Sequence, residues 1–115
     1  MELFEEEQYF NGVFAQPTVR ELAKSVTTKV EMVITKINKE KKTFAGEIIW
    51  KETGNSRSKI RGKYSNTRVY IVEYELIDGR GIAFPTLYKG KIIDSSISGI
   101  VKHADYQGTF YLEKR

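Results

Sequence analysis

The sequence predicts an all-β protein, an antiparallel up-and-down meander of about eight strands that closes into a small barrel and carries a short N-terminal helix. Three observations lead there. From Thr28 onward apolar and polar residues alternate with a period of two, as they must in a strand with one face buried. The apolar positions are filled by β-branched and aromatic residues between clusters of Gly, Asn, Asp and Ser, which mark turns. Glycines also recur where the same face continues from strand to strand, at Gly46, Gly62, Gly90 and Gly99. A sheet that bends to close on itself needs small residues there.

The chain divides into an acidic leader, residues 1–28, and a single barrel domain, residues 29–115. In the leader, Pro17 to Lys24 reads as a helix, with Thr18 and Glu21 spaced as a capping box and Lys24 near the negative end of the dipole. Beyond it, strands are expected at 29–37, 43–52, 56–64, 69–77, 82–84, 86–93, 96–102 and 108–113. A loop at Thr53-Gly54-Asn55 sets Trp50 opposite Ser58, Ile48 opposite Ile60 and Gly46 opposite Gly62. A loop at Asn66-Thr67-Arg68 sets Tyr64 opposite Tyr70, Gly62 opposite Val72 and Ile60 opposite Tyr74. The other face then pairs Glu47 with Arg61, Arg61 with Glu73, and Lys59 with Glu75, all favourable across strands. A two-residue turn at Asp94-Ser95 brings Ile92 to Ile97, Gly90 to Gly99 and Tyr88 to Val101. A four-residue loop at 104–107 then brings Phe110 to Val101 and Leu112 to Gly99.

Four segments of this meander, Gly46-Glu47-Ile48-Ile49-Trp50-Lys51, Ile60-Arg61-Gly62-Lys63-Tyr64, Tyr88-Lys89-Gly90-Lys91-Ile92 and Gly108-Thr109-Phe110-Tyr111-Leu112, give residues 29–115 their pattern. In that pattern the chain resembles the small calycin-type barrels, the lipocalin, fatty-acid-binding and avidin-like proteins. The resemblance implies their architecture and a ligand held at the mouth of the barrel.

Composition narrows the function classes. At 115 residues there is room for one core, and 40% hydrophobic residues is a globular composition. No apolar run approaches the ~18 residues of a membrane span, and the N-terminus is acidic where a signal peptide is basic. A cytoplasmic protein with no membrane partner is therefore expected. With no cysteine and one histidine, disulfides and the usual zinc sites are excluded, and no cofactor is expected. Residues 1–28 hold two basic and five acidic side chains, against seventeen and ten in residues 29–115. The body is thus basic and the leader acidic.

No enzyme signature emerges. His103 sits in a turn without a nucleophile motif, Gly79-Arg80-Gly81 reads as a turn, and Glu73 and Glu75 fall on the face assigned to solvent, opposite basic partners. A non-catalytic module that binds a small molecule or a protein is the expected function. Its candidate site is the barrel interior, with Trp50, Tyr64, Tyr70, Tyr74, Tyr88 and Phe110 as walls and tyrosine hydroxyls as anchors. The leader helix would act as a lid over an end lined by Tyr64, Tyr70 and Tyr88. The alternative is nucleic-acid or nucleotide binding by the strand carrying Arg57, Lys59, Arg61 and Lys63, which could track phosphates. Exposed aromatics between those cations would favour it, but the expected register turns the tyrosines inward.

Overall fold

The computed structural model describes residues 4–17, 25–52, 54–79, 85–103 and 106–115. Eight strands form a closed antiparallel barrel in sequence order: β1 (Tyr9–Pro17), β2 (Ser25–Asn38), β3 (Thr43–Trp50), β4 (Ser56–Tyr64), β5 (Arg68–Asp78), β6 (Thr86–Ile93), β7 (Ser96–His103) and β8 (Tyr106–Lys114). The meander and its closure are as expected. Among the described residues there is no helix, and so none long and apolar enough to cross a membrane.

The strand that completes the barrel comes from the leader. β1 pairs with β2 on one side and with β8 on the other, so that Phe14 faces Thr28 and Phe110. Phe10, Gly12 and Phe14 share one face and Tyr9, Asn11 and Val13 the other, so apolar residues lie on both and no period of two marks the strand in the sequence. The expected helix begins on Pro17, which is instead the last residue of β1, and its remainder at 18–24 lies outside the described residues. The short strand expected at 82–84 also lies outside them.

Register shows where turn reasoning works. β6 and β7 pair as expected, with Ile92 on Ile97, Gly90 on Gly99 and Tyr88 on Val101, around a turn in which Asp94 takes φ 54°. β3 and β4 are offset by two residues from the expected pairing, with Trp50 on Ser56, Ile48 on Ser58 and Phe44 on Gly62. β7 and β8 are offset likewise, with Gly99 on Phe110 and Ile97 on Leu112. A shift of two preserves the face of every side chain, so the inward and outward assignments there are correct although the partners are not.

β5 differs. Its pairing with β4 matches expectation only at Ser58 on Leu76 and Lys59 on Glu75, between two register shifts: Arg57 meets Asp78 on one side, and on the other Ile60 meets Glu73, Gly62 meets Ile71 and Tyr64 meets Val69. Tyr74, between Glu73 and Glu75, is the extra residue of a β-bulge. A slip of one exchanges the two faces. Val69, Ile71 and Glu73 therefore point inward, while Tyr70 and Tyr74 are 46% and 39% exposed on the outside. Arg61 consequently lies opposite Val72 and stacks over the Tyr74 ring at 5.0 Å instead of pairing with Glu73.

The core follows from these faces. Phe10, Met32, Ile34, Ile60, Val69, Ile71, Ile97 and Val101 are buried at the centre. Among the inner-face glycines, Gly62 and Gly90 make room for rings, whereas Gly46 and Gly99 lie against the backbone of the neighbouring strand. A Cβ on Gly62 would sit 2.2 Å from Phe44 Cζ, and one on Gly90 2.9 Å from Phe110 Cζ. The space beside Gly62 and Gly90 is thus occupied by the protein's own aromatics.

Candidate binding site

The interior has two halves of different chemistry. At the end that holds the β2–β3, β4–β5 and β6–β7 hairpins, Phe4 inserts from the segment before β1. Its ring centroid lies 6.0 Å from Phe10, 5.0 Å from Phe44 and 4.7 Å from Tyr64. The segment is anchored by backbone bonds between Glu7 N–H and Ile34 C=O and between Ile34 N–H and Gln8 C=O. This end is filled by apolar rings, and Tyr64 belongs to that filling.

The opposite end, where β1 stops at Pro17 and β3 at Trp50, contains a polar cluster built around Glu73. The carboxylate is fully buried. Its Oε2 accepts from Trp50 Nε1–H at 2.7 Å and from the Ser58 hydroxyl, and its Oε1 accepts from the Tyr88 hydroxyl at 2.8 Å. Three strands supply the donors: β3 ends on Trp50, β4 points Ser58 inward, and β6 brings Tyr88 across from Ile71. The bulge at Tyr74 is what turns Glu73 in to meet them. Ser56 and Thr86 are buried on the same face of β4 and β6. The apolar wall is a chain of rings, with Phe14 edge-on to Trp50 at 5.2 Å and to Tyr88 at 6.3 Å, and Tyr88 edge-on to Phe110 at 5.3 Å.

Electrostatics at this cluster is dominated by burial. Desolvation pushes the Glu73 carboxyl above the usual carboxylate range, opposed by the hydrogen bonds from Ser58, Trp50 and Tyr88. The Tyr88 phenol is pushed well above its ordinary value by burial and then by the neighbouring Glu73 charge. No described cation pairs with Glu73, since the described ion pairs join Arg57 to Glu47, Lys59 to Glu75, and Lys51 and Arg115 to Glu31. His103 is not part of the cluster, and its Nδ1 lies 2.9 Å from the Pro85 carbonyl.

Of the interior candidates, Trp50, Tyr88 and Phe110 come together here, Tyr64 joins the apolar plug, and Tyr70 and Tyr74 are on the outer surface. The expectation that Tyr64, Tyr70 and Tyr88 line one end is therefore corrected. Glu73, Ser58 and Phe14 were not among the candidates. Glu73 has the parity of Val69 and Ile71, which is the signal that it points inward; the unseen bulge concealed it. The chain matches no protein-family model and no curated protein.

Proposed function

We propose that the protein is a non-catalytic binding module that receives a small molecule at the Trp50–Glu73–Tyr88 end of its barrel. The ligand would combine an apolar or aromatic body with a hydrogen-bond donor or a positive charge. One observation carries this reading: among the described residues, a fully buried carboxylate is supported by neutral donors alone. Burying a carboxylate without a cation costs several kcal/mol on the order-of-magnitude scale for ions in proteins. Val69 and Ile71, on the same face of the same strand, fill their places with apolar side chains. An ionised carboxylate has about four acceptor positions. Oε2 uses two and Oε1 one among the described residues, which leaves Oε1 an acceptor position for a ligand donor.

Binding without chemistry is supported by the company Glu73 keeps. Its neighbours are hydrogen-bond donors that hold and orient it, and no second carboxylate, lysine or histidine among the described residues is bonded to it. The test uses Trp50, the one tryptophan of the chain, whose indole N–H is bonded to the carboxylate and reports on it directly. Small aromatic amines should change its emission and raise the melting temperature, whereas the matched carboxylic acids should not. Glu73→Gln should weaken the response at least tenfold, and binding equal to wild type in that variant would remove Glu73 from the site.

A further inference from the structure

We infer that the outer face of strands β4 to β6 is a second binding surface, for single-stranded nucleic acid, with Tyr70 as a stacking platform. The bulge that turns Glu73 inward also turns Tyr70 outward, onto the face that carries the cations of β4. Pairing places Tyr70 directly between Lys63 and Lys89, and Val72 between Arg61 and Leu87. Arg68 faces Lys91 one step away, and Lys102 faces Leu87. An apolar strip of Tyr70, Val72 and Leu87, with Leu87 44% exposed, is thus framed by six cations. No carboxylate occupies those positions. Lys63, Arg68, Lys89, Lys91 and Lys102 form no ion pair among the described residues.

The contrast within β4 is informative. Arg57 and Lys59 are bonded to Glu47 and Glu75, so the half of the strand nearest the buried carboxylate is neutralised. The half with Arg61 and Lys63 is not paired with acid. That half borders an open groove of about 580 Å³ whose lining includes Lys36, Arg61, Lys63 and Tyr70 and contains no acidic residue. The surface therefore offers phosphates several cations and offers a base the ring of Tyr70. A polyanion with exposed flat faces matches both properties, and a duplex, whose bases are stacked within, uses only the first. The cations continue past the groove across β5 and β6, which favours an oligonucleotide over a single nucleotide.

The test is fluorescence anisotropy with a labelled single-stranded 12-mer, on the full chain. Micromolar binding is expected in ~50 mM salt, with log affinity falling against log salt at a slope of about −2 to −4, as for several phosphate contacts. Tyr70→Ala should weaken binding about tenfold, as loss of one stacked base does, and Tyr70→Phe should retain it. The Lys63→Glu/Lys89→Glu double variant should abolish binding, with the fold checked by circular dichroism. Neutralising Arg57 and Lys59 should change affinity less than twofold. The inference is overturned by no binding at low salt, by Tyr70→Ala binding like wild type, or by a duplex or a poly-glutamate peptide binding as tightly as the single strand. Glu73→Gln should leave this binding unchanged, which separates it from the interior site.

Discussion

At one end of the barrel Phe4, Phe10, Phe44 and Tyr64 pack ring against ring, and at the other Phe14, Trp50 and Tyr88 surround a carboxylate. Strands β1, β3 and β4 contribute to both. A plug of hydrocarbon contributes stability in proportion to the apolar area it removes from water and asks for no partner. The carboxylate end contains groups that are stable only while each hydrogen bond is kept. The first end is held by apolar contact, and the second by hydrogen bonds to one buried carboxyl group.

The largest effect should come from the plug. Phe10→Ala, at a fully buried ring, should lower the unfolding free energy by about 3–5 kcal/mol, read from chemical denaturation. A loss below ~1 kcal/mol would mean that this end is loosely packed and that the contrast fails. Next is Tyr88→Phe, which removes the hydroxyl bonded to Glu73 Oε1. It should cost about 1.5–3 kcal/mol where Glu73 is ionised, the range for hydrogen bonds to charged groups, and less in mild acid. A cost that is the same at both pH values would show that Tyr88 acts through packing alone.

The pH dependence sharpens the comparison further. Because the folded-state pKa of Glu73 is raised, the folded protein holds a proton that the unfolded chain releases between the two pKa values. This contribution to stability is fully present below the ordinary carboxylate range and is lost as pH rises through the raised value. Glu73→Gln should flatten that decline, and if its stability profile remains parallel to wild type the titrating group is another. Tyr88, also raised, should add a second loss of stability that begins near pH ~10, the ordinary phenol value, and is absent from Tyr88→Phe. The smallest effect should be Arg61→Glu. Arg61 faces Val72 and stacks on Tyr74 at the surface, so the denaturation midpoint should hardly move; a marked drop would restore the pairing of Arg61 with Glu73.

How much of this was legible in the sequence depends on what fixes each register. Asp94-Ser95 leaves the chain one short way to turn, and the β6–β7 pairing is readable from it. Longer connections, such as Lys51 to Asn55, allow offsets of two that period-two patterning cannot detect, because the faces do not change. β5 was misread for a different reason. In Val69-Tyr70-Ile71-Val72 both faces are apolar, so patterning has no preference, and the pairing of Lys59 with Glu75 was extrapolated through a bulge at Tyr74 that composition does not announce. β1 was missed because Tyr9-Phe10 and Val13-Phe14 put apolar residues on both faces, which leaves no alternation to read, while Thr18 and Glu21 nearby have helical spacing. The architecture was therefore legible, whereas Glu73 and Phe14, the residues that depend on one bulge and one closing strand, were not.

The seam between β1 and β8 has a consequence for how the protein is made. Phe10 pairs with Lys114 and Phe14 with Phe110, partners separated by nearly the full sequence, so closure belongs to the slow, high-contact-order class of folding events. During synthesis, seven strands must wait with two open edges until β8 emerges, a period in which edge-to-edge association competes with closure. Phe14 comes to face Phe110 only when that seam forms. The Glu73 cluster draws its donors from β3, β4 and β6 and can form before that event, but a chain lacking β8 has neither the closed barrel nor the edge of Phe110 against Tyr88.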